Sequence, residues 1–152
     1  MTPDEKLAEL DLTLPEVVAP LAAYVPAVRT GDLVYTSGQV PMVEGKLAQS
    51  GKLGADVSLE EGAALARICA LNALAALKSE VGDLARVKRI VKVVVFVASD
   101  PAFVQQPQVA NGASELLADV LGDAGKHARS AVGVAALPLD APVEVELIAE
   151  VS

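Results

Sequence analysis

Tryptophan is absent, His127 is the only histidine and Cys69 the only cysteine, and the aromatic side chains amount to two Phe and two Tyr in 152 residues. A single cysteine forms no intramolecular disulfide and suits a reducing compartment. With one histidine beside it, the chain has no Cys- or His-rich set of zinc ligands. Basic residues are scarce too: 12 Lys and Arg stand against 20 Asp and Glu, a net charge of −8. Phosphate contacts need a concentrated basic surface, so no nucleic-acid partner is expected. The opening MTPDEKLAEL carries acids where a secretory signal has basic residues followed by an apolar run. No stretch of about 18 uncharged apolar residues is found, so no membrane span is expected. The expectation is a soluble cytoplasmic protein with no membrane partner. P-loop, GxGxxG, GxSxG, HExxH and CxxC motifs are all missing, and nothing calls for a metal or organic cofactor.

What is present is small and apolar. Ala, Val and Leu number 27, 23 and 20 in a chain that is 53% hydrophobic, a composition suited to close helix-on-sheet layers or to a subunit that buries a second surface. The length fits a single domain over 1–152. Residues 1–14 read as an amphipathic N-terminal arm, with Leu7, Leu10 and Leu14 on one helical stripe. Pro15, Pro20 and Pro26 favour an extended path after it. Val25 to Arg29 and Leu33 to Thr36 read as a hairpin around Thr30-Gly31-Asp32, and Ser37-Gly38-Gln39 interrupts its second strand. Gly38 there signals a bulge or a close backbone approach. Residues 44–56 read as loop.

Ser58-Leu59-Glu60-Glu61 is a capping box that opens a helix to about Glu80, with Gly82 as its stop. Arg86 to Ala98 reads as a strand whose second half is apolar on both faces. A helix from about Gln108 to Leu121 follows Pro107 and stops at Gly122. Arg129 to Ala135 and Val143 to Val151 complete the pattern as two strands expected to form a hairpin. In the last, Val143, Val145, Leu147, Ala149 and Val151 alternate with Glu144, Glu146, Ile148 and Glu150. The predicted order is ββαβαββ, an α+β sheet with two helices on one face. The opposite face of the Val91–Val97 strand then needs cover that one chain does not obviously supply.

The candidates for chemistry cluster late in the chain: His127, Arg129, Ser130 and Glu144. Arg129 opens an otherwise apolar strand, and an enclosed guanidinium requires an anionic partner. Two readings stand open: a cross-strand pair with Glu144, Glu146 or Glu150, or a ligand carboxylate. Glu144 is an acid/base candidate only if it faces a cleft. His127 reads as a loop histidine, Cys69 as an inert buried thiol, and Lys88, Arg89 and Lys92 as a solvated basic cluster.

From about Ala22 to Val151 the chain resembles the Rid, or YjgF-like, family. The resemblance is carried by Tyr24-Val25-Pro26-Ala27-Val28, by the TSGQ-x-P segment Thr36 to Pro41, by Val93 to Val97, and by Ala128-Arg129-Ser130, Leu137-Pro138 and Val143-Glu144-Val145-Glu146. It implies a chorismate-mutase-like fold and a homotrimer whose sheets enclose a barrel, with clefts between subunits. It also implies hydrolytic deamination of reactive enamines and imines such as 2-aminoacrylate, giving a 2-keto acid and ammonia. The partner is then a small carboxylate-bearing imine or keto acid, and the alternative is a module that binds such carboxylates without turnover. Arg129 takes the position of the carboxylate-holding arginine and Glu144 that of the glutamate near the water and the leaving nitrogen. Tyr24, Ser37, Gly38 and Asn111 take cleft-lining positions. The chain departs from the family pattern in having Ala131 where many members carry cysteine, in His127 where Pro or Ala is usual, and in extra residues around 105–108 and 119–126.

Overall fold

The computed structural model describes residues 1–17 and 22–152, so the expectation for Pro20 lies outside the described residues. Helix α1 (Pro3–Glu9) opens with a capping box that reading the apolar stripe overlooks: Thr2 accepts the Glu5 amide and the Glu5 carboxylate accepts the Thr2 amide. It ends well short of Leu14. Asp11 adopts a left-handed φ of 56°, and its N–H and that of Leu12 donate to the carbonyls of Ala8 and Leu7. That pairing is the Schellman arrangement, with Leu7 and Leu12 as its apolar contact. Leu7 is buried and Leu10, at the C-cap, shares its helical stripe, while Leu12 and Leu14 pack against the core from beyond the helix.

Strands β1 (Ala27–Thr30) and β2 (Leu33–Thr36) form the expected hairpin, with Gly31 at a φ of 56° in its turn. A small second hairpin follows, β3 (Met42–Val43) with β4 (Lys46–Leu47), its turn and second strand inside the 44–56 stretch that reads as loop. Glu44 and Gly45 turn it, both at positive φ (52° and 80°), the geometry of a two-residue hairpin turn. Helix α2 (Leu59–Val81) starts on the Ser58–Glu61 capping box and stops at Gly82, at a φ of 85°. Strand β5 (Val87–Ala98), helix α3 (Gln106–Leu121), strand β6 (Ala128–Val134) and strand β7 (Val143–Val151) complete the chain.

The five-stranded sheet runs β1-β2-β7-β5-β6. All pairings are antiparallel except β5 with β6. Here the expected hairpin of the last two strands is corrected. The β5–α3–β6 segment is a crossover unit, which makes β6 parallel to β5, and β7 pairs with β5 on its other edge. No β6–β7 ladder exists among the described residues.

Helices α2 and α3 cover one face of the sheet. Their axes approach so closely at Gly112 that a Cβ there would overlap the Ala63 carbonyl oxygen. Between helices and sheet lie Leu74, Leu77, Leu116 and Leu117 against Val93, Val95, Val145 and Leu147, all essentially inaccessible. Helix α2 is long and apolar enough in composition to cross a membrane, but its most apolar window is 61% buried within this core. The alternation in β7 is as expected, with Val143, Val145, Leu147, Ala149 and Val151 buried and the residues between them half-buried. Among the described residues nothing covers the opposite sheet face. Val28, Tyr35 and Val132 are exposed there, and Val94, Phe96 and Ile148 lie between them, half-buried.

Candidate active site

The candidate residues fall into two groups. The first is built by the interruption after β2. Tyr35 pairs with Ile148 and Gln39 bridges to Val145. Four steps of chain along β2 therefore oppose three along β7, which leaves one residue to bulge out. The buried Thr36 hydroxyl takes over part of the broken ladder by accepting the Leu147 N–H at 3.1 Å. Ser37 donates its hydroxyl to the Val25 carbonyl at 2.6 Å and its N–H to that of Pro26 at 2.8 Å. Those two bonds tie down the segment carrying Tyr24, whose side chain is 59% exposed.

The bulge also sets Gly38 over Glu144. A Cβ at Gly38 would lie 2.9 Å from the Glu144 Cδ and overlap its carboxylate oxygen. A close approach at this glycine is thus present, and no larger residue fits while Glu144 keeps its place. Burial raises the Glu144 pKa above its ordinary value, and the neighbouring Glu146 carboxylate raises it further. A cavity of about 740 Å³ opens on the Tyr24, Ser37 and Gly38 side of this group and is also lined by Met42 and Asn72; Glu144 is not among its lining residues.

The second group surrounds Arg129. In register, Arg129 pairs with Val93 and Val93 with Leu147. Arg129 is therefore on the helix-side face, and it reaches α3. Its Nη1 donates to Asn111 Oδ1 at 2.8 Å and to Ser114 Oγ at 3.1 Å. None of the expected cross-strand pairs with Glu144, Glu146 or Glu150 forms; β5 lies between the two strands, and Glu150 sits instead 3.6 Å from Arg89. Both Nη1 hydrogens are engaged, which leaves the Nε and Nη2 edge without a partner among the described residues. Two parallel N–H groups on one edge are the geometry that takes a carboxylate in two hydrogen bonds.

Ser114 went unnoticed in the sequence, although it sits one helical turn from Asn111 and so on the same face of α3. Ser130, expected near the chemistry, faces the other way and accepts from Lys92 Nζ at 3.1 Å. Cys69 is fully buried and donates weakly to the Val143 carbonyl at 3.6 Å. Burial pushes its thiol pKa well up, with a smaller contribution from Glu144.

Within one chain the two groups do not meet. Glu144 is on the open face at the Phe96 position of the ladder, and Arg129 is on the helix face two strands away.

The family model described as "YjgF/chorismate_mutase-like, putative endoribonuclease" matches residues 4–151. The chain belongs to the YjgF-like family. Protein TCP17 of Trypanosoma cruzi is 46% identical over 147 residues, 96% of this chain and 92% of that protein. Among solved structures, protein Atu1372 of Agrobacterium tumefaciens is 46% identical with a TM-score of 0.93, over 99% of this chain and 94% of that one. A Shewanella oneidensis structure described as a "putative endoribonuclease" is 38% identical, covers 99% and 100%, and superposes at 0.96. Escherichia coli TdcF with bound serine is more distant, at 26% identity, 91% and 93% coverage and a TM-score of 0.63. The fold is the YjgF-like α+β sheet expected from the sequence.

Proposed function

We propose that this YjgF-like protein assembles as a homotrimer and hydrolyses carboxylate-bearing imines and enamines to 2-keto acids and ammonia. The observation that carries the reading is Arg129: a guanidinium held on one side by Asn111 and Ser114 and offering its remaining edge to a ligand. The open sheet face, where exposed Val28, Tyr35 and Val132 and half-buried Phe96 stand among Lys92, Ser130, Glu144 and Glu146, supports the assembly, since exposed apolar groups rimmed by polar ones mark a surface that another chain covers. A second copy is also what can bring an Arg129 to the Gly38–Glu144 group, which no single chain does.

The chemistry asks little of the catalyst. 2-Aminoacrylate tautomerises to the imine, water adds at the imine carbon, and the C–N bond breaks to release ammonia and leave the keto acid. Arg129 fixes the carboxylate and so orients the imine carbon. Glu144, with its raised pKa, suits a group that takes a proton from the attacking water and returns it to nitrogen. The Gly38 N–H, without a partner among the described residues, is a further donor beside it. The acid excess of the chain weighs against RNA as substrate, because a polyanion is repelled from a negatively charged protein.

A second reading, carboxylate binding without turnover, draws on the TdcF structure with bound serine. Incubation with 2-aminoacrylate generated in situ separates them. Keto-acid release above the spontaneous rate supports the enzyme; tight keto-acid binding with no acceleration supports the binding module; salt-sensitive RNA cleavage in a parallel arm contradicts both.

A further inference from the structure

Arg129 is the end of a chain of hydrogen bonds that starts in a loop. The His127 Nδ1 is 2.6 Å from the Gly125 carbonyl and its Nε2 is 2.8 Å from Ser114 Oγ. A carbonyl only accepts, so Nδ1 carries the proton, and in the neutral ring Nε2 is left as an acceptor. The Ser114 hydroxyl therefore donates to Nε2, and its lone pairs face Arg129 Nη1 at 3.1 Å. Every donor in the sequence Arg129, Ser114, His127, Gly125 points the same way. The far end is rigid. Gly125 is buried in the turn after α3, where a Cβ would overlap the Leu117 carbonyl oxygen. That turn belongs to the extra residues around 119–126, and His127 stands where the family pattern has Pro or Ala, whose side chains carry no acceptor for a hydroxyl.

We infer that His127 is a positioning residue: through Ser114 it holds the Arg129 guanidinium so that the Nε and Nη2 edge faces the ligand carboxylate. Without the His127 acceptor, the Ser114 hydroxyl is free to rotate and to point its hydrogen at Nη1. Arg129 then keeps only Asn111 as a fixed partner, and the guanidinium turns about its long stem. The cost falls first on carboxylate capture and less on chemistry at the imine carbon, which a bound carboxylate still orients. The inference rests on the reading of Arg129 as the carboxylate-holding group, but its structural half can be observed separately.

The test uses the intact protein with His127→Ala and His127→Gln, the glutamine supplying a side-chain oxygen for the Ser114 hydroxyl. Nitrogen-15 NMR should show the imidazole proton on Nδ1. Slow rotation of the Arg129 Nη groups should be present in wild type and His127→Gln and lost in His127→Ala. With in situ 2-aminoacrylate, His127→Ala should raise KM by roughly tenfold, the scale of a modest misplacement, with kcat changed much less, and His127→Gln should recover most of the loss. Arg129 signals that are identical in His127→Ala and wild type would overturn the proposal, as would a fall in kcat at unchanged KM. If wild type neither turns over nor binds a keto acid while the NMR signatures behave as stated, the reading of the site fails and the positioning stands.

Discussion

Gly38→Ala separates the placement of Glu144 from the stability of the fold. The added Cβ would sit 2.9 Å from Glu144 Cδ and 3.2 Å from Cγ, inside the 3.4 Å at which ordinary contact begins. The carboxyl carbon must retreat by about half an ångström and the nearer oxygen by more. Gly38 is outside the left-handed region, so alanine brings no backbone penalty. The atoms in the way are the end of a flexible side chain, so relief comes from a rotamer change costing about 0.5–1.5 kcal/mol. At about 2–4 °C per kcal/mol for a chain of this size, Tm should fall by no more than a few degrees. Activity should fall far more, on the order of 10²-fold, the scale of a 1 Å displacement of a reacting group. Thermal melting and the 2-aminoacrylate assay on the same preparation read both quantities. Full activity in a well-folded Gly38→Ala would refute the claim that Glu144 must occupy this spot, and a melt lowered by tens of degrees would refute the claim that a side-chain motion relieves the overlap.

Arg129→Ala should abolish turnover yet lower Tm by only a few degrees, since it loses about two partly exposed hydrogen bonds, each typically about 1 kcal/mol; Arg129→Lys, which keeps the charge but not the two-donor edge, should also lose most activity. Glu144→Gln should remove the acidic limb of the pH–rate profile. Because the folded pKa of Glu144 is raised by burial and by Glu146, the folded state binds more protons than the unfolded state as pH rises through that window, and wild-type stability falls there. Glu144→Gln should therefore melt higher than wild type above the window, with the gap closing as pH drops below the ordinary carboxylate range. Cys69, buried with a raised thiol pKa, should resist iodoacetamide in the native protein and react only on unfolding; rapid native alkylation would place it in an opening that the core does not contain.

Local signals in the chain translate closely into structure. The Ser58–Glu61 box, Gly82, the Gly31 turn and the two-residue alternation of Val143 to Val151 each act through backbone geometry within a few residues, and each is found where expected. Pairing order is not local. Arg129 and Glu144 read as neighbours because their strands follow one another, but the parallel β5–β6 crossover puts β5 between them. Helix α1 stops early because Asp11 adopts a conformation that an apolar stripe does not report. The sheet face that the described residues leave open is the one expected from the double-sided apolarity of the Val91–Val97 strand. The partners of Arg129 were half visible, Asn111 through the family resemblance and Ser114 only once α3 lay against β6.

The central claim is that Arg129 of one chain and Glu144 of another form one site. Complementation tests it: Arg129→Ala and Glu144→Gln, the first without turnover and the second slowed by about 10²–10⁴-fold, are unfolded and refolded together at equal concentrations. In randomly mixed trimers about a quarter of the interfaces join an intact Arg129 to an intact Glu144 of the neighbouring copy. The account predicts recovery to about that fraction of wild-type 2-aminoacrylate hydrolysis. Mixed trimers with no activity above that of the separate variants would contradict it.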